Sequence, residues 1–152
     1  MGLRAMVLHS ASDGKLVGNP EDHRDVLGMV VDVPANDKYV TLVALTDYTN
    51  SLYNSDGGGF MGWGRHPAVR AATEELLTQA QEHQAEFTGP ETDDLPAPGF
   101  VRLHLLGPAE RRSADVPSGC LLNSEPHALA PVLLGVQKVF AILEMAIQRG
   151  PT

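Results

Sequence analysis

The sequence predicts a single α+β domain: a five-stranded, mainly antiparallel sheet in the element order β-β-β-α-β-β-α, with helices packed on it. Three observations lead there. Residues 27–55 alternate or carry β-branched and aromatic side chains, broken only by short turns. Two segments, one opening at Pro67 and one near Ser124, repeat apolar residues at helical spacing. At 152 residues the chain has the length of one domain, and we expect residues 1–152 to form one, with 1–25 as an N-terminal appendage and 26–149 as the core.

The elements follow in order. Leu27, Met29, Val31 and Val33 alternate with Gly28, Val30 and Asp32, giving a first strand that ends at the turn Pro34-Ala35-Asn36-Asp37. Tyr39 to Thr46 is a second strand, apolar on both faces and so placed inside the sheet. Ser51 to Ser55 makes a third, completing a meander. A glycine-dense loop spans Asp56 to Gly64. Pro67 then suits the first position of a helix, with Val69, Ala72, Leu76, Ala80 and Phe87 on one stripe and an end at Gly89-Pro90. Residues 88–99 read as an acidic, proline-rich surface loop. Phe100 to Leu106 is a fourth strand, with Val101, Leu103 and Leu105 on one face and Arg102 and His104 on the other. Arg111 to Val116 is a fifth, at an edge, where its arginines and Asp115 discourage stray pairing. The last helix is expected from about Ser124-Glu125-Pro126 to Gln148. Leu129, Val132, Leu133, Val136, Val139, Phe140, Leu143 and Ile147 form one apolar face of it, and Leu134, Ala141, Ile142 and Met145 form a second.

Charge and composition exclude several classes. Lys plus Arg is 11 and Asp plus Glu is 19, a net charge of −8. A nucleic-acid binder carries a basic footprint, and docking on anionic lipid needs cations, so neither partner is expected. One cysteine, Cys120, allows no intrachain disulfide and no cysteine zinc cluster. The start Met1-Gly2 has Met6 where myristoylation requires Ser or Thr, and Ala5 to Leu8 is too short for a secretory apolar region. The long apolar stretch from Ala128 to Ile147 contains Lys138 and Glu144, which a lipid-exposed span would desolvate at a cost of several kcal/mol. The expected address is the cytoplasm.

The order of elements is similar to that of the roadblock, longin and profilin group of small domains, a likeness of topology that carries no function. The run Ser51-Leu52-Tyr53-Asn54-Ser55-Asp56-Gly57-Gly58-Gly59, with Gly62, Gly64 and His66 opening a helix, resembles a family of small uncharacterised bacterial proteins. In that family a strand ending Ser-Leu-Tyr-x-Ser precedes a Gly-Gly-Gly loop. The resemblance runs from about Leu27 to Ile147 and implies no activity, substrate or catalytic residue; Asp56 and Trp63 depart from its pattern.

Two sets of residues are candidates for function. Gly57, Gly58, Gly59, Gly62 and Gly64 lie between a strand and a helix, with Arg65, His66 and Arg70 at the helix start. Glycine lets a ligand approach the backbone, and free N–H groups at a helix start attract anions. Cations there oppose the helix dipole unless an anion offsets them. The spacing satisfies G-x-G-x-x-G, but the strand before it belongs to a meander and no suitable acid follows, so a dinucleotide site is not indicated. The competing reading gives these glycines only a tight crossing beneath Phe60, Met61 and Trp63. Those three side chains read equally as a docking knob or as a lid on the core.

The second set is the two-sided last helix. One sheet hides one side of it; the other needs a further element or a second subunit. Leu134, Ala141, Ile142 and Met145, with Phe60, Met61 and Trp63, are therefore the candidate interface. No histidine spacing suggests a metal, no nucleophile elbow is present, and Cys120 has no base near it in sequence. No cofactor is expected. The sequence thus reads first as a non-enzymatic scaffold or regulatory module acting as a homodimer. The alternative is an anion-binding protein or enzyme using Gly57 to Gly64.

Overall fold

The computed structural model describes residues 8, 26–35, 38–45, 50–54, 59–62, 67–92, 94–107, 111–122 and 126–149. Six strands, β1 (Gly28–Ala35), β2 (Lys38–Leu45), β3 (Asn50–Asn54), β4 (Gly59–Gly62), β5 (Phe100–Leu106) and β6 (Arg111–Pro117), form one antiparallel sheet in the order β4-β3-β2-β1-β5-β6. Helix α1 (Pro67–Glu82) joins the first four strands to the last two. A short α2 (Ser118–Leu122) and a long α3 (Ala130–Arg149) follow β6. The α+β class and the antiparallel sheet agree with the sequence reading. The strand count and element order do not, since β4 and α2 were not expected.

The extra strand comes from the glycine segment. Glycine is poor in strands by propensity, which is why this stretch reads as loop. Yet β3 offers a full row of backbone groups, and Phe60 and Met61 pair by register with Leu52 and Ser51. Gly59 and Gly62 are therefore strand residues rather than parts of a phosphate-type loop.

Alternation sorts the sheet's two faces. Met29, Val31, Val33, Leu42, Ala44, Val101, Leu103, Leu105 and Val116 meet Val69, Leu76, Leu77, Val132, Leu133, Val136, Val139 and Leu143 of the helices in one buried cluster. Fully burying such a side chain contributes roughly 1.5–3 kcal/mol, so this layer dominates stability. Helices α1 and α3 pack side by side on it. Gly135 makes the crossing close: a Cβ there would lie 3.2 Å from Leu76 Cα. On the opposite face Val30, Val43 and Leu106 pack with Leu8.

Both helix ends differ from expectation for local reasons. The first helix stops at Glu82 instead of running on toward Gly89. His83 donates both its backbone N–H (3.1 Å) and its ring Nδ1–H (2.9 Å) to the Gln79 carbonyl. A 3-10 turn (Gln84–Glu86) then carries the buried Phe87 into the core. The last helix starts at Ala130 rather than near Ser124. The Leu129 N–H is accepted by His127 Nδ1 (3.0 Å) and the Ala130 N–H by the His127 carbonyl (3.0 Å), so His127 satisfies two of the free donors of the first turn.

The acidic connector is a strap and not a free loop. Gly89 exchanges backbone bonds with Ser113 (2.7 and 3.2 Å) at the edge of β6. A Cβ on Gly89 would lie 2.7 Å from the Ser113 carbonyl, so only glycine fits. Beyond it every second carbonyl takes a side-chain donor from the sheet. Pro90 accepts from Ser113 Oγ (2.7 Å), Thr92 from Arg111 Nη1 (2.8 Å), Asp94 from Arg102 Nη1 (2.8 Å) and Pro96 from the Tyr39 hydroxyl (2.6 Å). Period two is that of an extended chain, and prolines at two of the four positions remove donors that would otherwise need partners.

Candidate functional site

Three places on this scaffold have the chemistry to do something. The first is the polar network on the strap-side face. Register sets Asp32 between Thr41 on β2 and Arg102 on β5. Thr41 Oγ1 donates to Asp32 Oδ1 at 2.7 Å, and His104 Nε2 lies 3.1 Å from Asp32 Oδ2. Asp32 is 0% exposed and His104 1%. The carboxylate sits in the middle, so the hydroxyl donates to the acid and not to the imidazole. A nucleophile needs the base beside it, and here the acid intervenes. Asp32, Thr41 and His104 line neither of the two cavities described below. The arrangement satisfies three buried polar side chains and ties β1, β2 and β5 together.

Beside it Arg102 meets Asp115 in a two-point pair, Nε to Oδ1 at 2.7 Å and Nη2 to Oδ2 at 3.0 Å. These hydrogen bonds hold the Asp115 carboxyl below the usual carboxylate range; partial burial works against them, and the charges of Arg102 and His104 add to them. The same bonds raise Arg102.

The second place is a cavity of about 560 Å³ between the strap, the edge of β6 and the turn before α3. Glu86, Asp94, Arg102, Asp115 and His127 are among its lining residues. Its acids and cations are mixed, and Arg102 is already engaged by Asp115 and the strap.

The third is the outer flank of α3 with the groove beside it. Leu134 and Met145 are each 51% exposed, and Ala141 between them is exposed too. With Lys138 they recur at intervals of four, three and four, the spacing of a helix–helix seam. Lys138 Nζ reaches Glu75 on α1 at 2.9 Å. Alongside runs a groove of about 670 Å³, floored by Val33, Val40 and Leu52 of the sheet and Leu121 of α2, and walled by Gln137, Phe140, Ala141 and Glu144. Gln137 Nε2 donates to the Leu121 carbonyl, closing one end.

The residues singled out in the sequence divide accordingly. Leu134, Ala141 and Met145 do share one exposed flank. Ile142 does not belong to it: it is partly buried against the main core. Helix α1 packs against α3, so another element of the same chain takes part in covering it, one of the two options the sequence left open. Phe60 and Met61 lie on β4 and not in a projecting loop. Gly59 and Gly62 are in that strand and not in a loop. Gly57, Gly58, Trp63, Gly64, Arg65 and His66 lie outside the described residues, and Arg70 is exposed in the first turns of α1. Sequence reasoning missed the Thr41–Asp32–His104 network. Its signal was Asp32 inside an otherwise apolar strand, which demands a buried partner.

Among the described residues no three of His, Cys, Asp or Glu gather as a metal site, and no helix is long and apolar enough to cross a membrane. Cys120 is buried, its Sγ 4.0 Å from the Pro126 carbonyl. No family model, no curated protein and no solved structure matches the chain.

Proposed function

We propose that this protein is a non-catalytic interaction module that works as a homodimer, with the outer flank of α3 as the surface on which two copies meet. The observation that supports the reading is the exposed seam Leu134, Lys138, Ala141, Met145, over which no described segment of the chain folds. An antiparallel two-fold pairing through this seam is self-complementary. A dyad between Lys138 and Ala141 sets Leu134 against the copy's Met145 at both ends, and the small Ala141 allows close approach at the centre. Lys138 suits the seam despite its charge. Its ammonium is held on Glu75, which leaves the apolar stem to the seam, and a single such residue fixes the register. The neighbouring groove gives the same face further apolar area.

A cysteine pair tests this. Leu134 and Met145 of one chain are about 16 Å apart along the helix axis, too far for an internal disulfide. The chain's own Cys120 is buried. Oxidised Leu134→Cys/Met145→Cys protein should therefore run as a crosslinked dimer without reductant. Persistence as a single chain under oxidising conditions contradicts the seam.

A further inference from the structure

The two edges of the sheet are treated differently. The β6 edge carries the Gly89 bridge, Arg111, Arg112 and Asp115 along its length, and Pro117 at its end. Charges, proline and a covering segment are how proteins block strand addition. Among the described residues the β4 edge has none of these. Its sequence is Gly-Phe-Met-Gly, and among the described residues nothing pairs with its outer side.

Which backbone groups β4 presents follows from the far edge. Gly89 and Ser113 exchange both backbone bonds, so the Ser113 N–H and C=O point away from β5. In an antiparallel pair the bonding direction alternates with each residue, and between the pairs used below the registers run without a bulge. Ala114 therefore bonds Leu103, His104 bonds Val30, Val31 bonds Leu42, Thr41 bonds Tyr53, and Leu52 bonds Phe60. The N–H and C=O groups of Gly59 and Met61 are left pointing off the sheet. Glycine in a strand marks a place where another backbone comes close, and Gly59 and Gly62 put no side chain in its way.

We infer that β4 accepts an extended segment of a partner protein, which pairs with Gly59 and Met61 as a seventh strand. Unmet groups that are all backbone call for an extended backbone as occupant, not for a helix or a small molecule. The net charge of −8 favours a neutral or basic segment. That the occupant is another protein rather than a second copy rests on the proposed dimer: a chain already joined to its copy through α3 would form open assemblies if β4 also paired with itself.

Amide hydrogen exchange on the full-length ¹⁵N-labelled protein tests this. The probe is a short alternating threonine–valine peptide with a lysine at each end, and the control is the same peptide N-methylated at every internal residue, which leaves neither edge able to pair. At about ten times its dissociation constant the probe should slow exchange at Gly59 and Met61 about tenfold, and the methylated control should not. Three outcomes overturn the inference: no slowing at these amides, equal slowing by the control, or amides protected without peptide in a way that dilution reverses, which would mean a second copy holds the edge. Light scattering on the same samples reports the mass separately, so a failed dimer and a failed strand acceptor give different results.

Discussion

Asp32 is the residue on which the strap-side face depends. It is fully buried and holds a hydroxyl from β2 and an imidazole from β5. Replacing it with alanine strands both partners away from water. Asp32→Ala should cost about 3 kcal/mol, read as a lower urea midpoint at unchanged slope. Asp115 is the second such residue, at the surface. Its folded carboxyl titrates below the ordinary value because Arg102 binds the charged form. A depressed acid stabilises the fold above its unfolded value, and that contribution disappears as pH falls through the folded value. With its side chain 45% exposed, the pair contributes no more than about 1 kcal/mol. Wild type should therefore exceed Asp115→Asn slightly in stability at neutral pH, and the two should converge on acidification below the usual carboxylate range; a gap that persists in strong acid contradicts the assignment. Of these residues the sequence revealed Arg102 and His104 as sharing a face. It could not reveal their partners, because which strand lies beside β5 is set by a crossover through α1.

At the level of elements, periodicity carried most of the fold. Strands β1, β2 and β5 are readable because their alternating or β-branched patterns are long and their turns short, while β6, with Val116 as its one β-branched residue, is the weaker pattern. β4 was hidden because two of its four residues are glycine and its pairing comes from β3, not from its own propensity. The strap was hidden because its bonds are carbonyls to distant side chains, which leave no periodic mark. The helix boundaries moved for reasons that lie in single histidines, His83 and His127. The crossing of α1 and α3 makes a prediction at this scale. Gly135 faces the Leu76 backbone, which cannot yield as a side-chain end would. Gly135→Val should destabilise by about 1–3 kcal/mol, seen as a lower melting temperature, and a wild-type melting temperature would show that the helices pack more loosely than described.

For the whole molecule, the candidate interface was only partly legible. Helical spacing placed Leu134, Ala141, Ile142 and Met145 on one face; Leu134, Ala141 and Met145 are exposed there, whereas Ile142 is partly buried against the main core. The glycine segment reads as a loop in the sequence because glycine permits a bent backbone, whereas Gly59–Gly62 is a strand paired with β3. What the assembled structure adds is a surface with one strapped edge, one edge with no neighbour among the described residues, and a helix flank with the spacing of a seam. Light scattering at tens of micromolar tests the central claim most directly. The wild-type chain should show twice its 16.3 kDa mass, and Leu134→Lys/Met145→Lys should return it to one chain without loss of helix content. A wild-type mass of 16.3 kDa under those conditions would contradict the account.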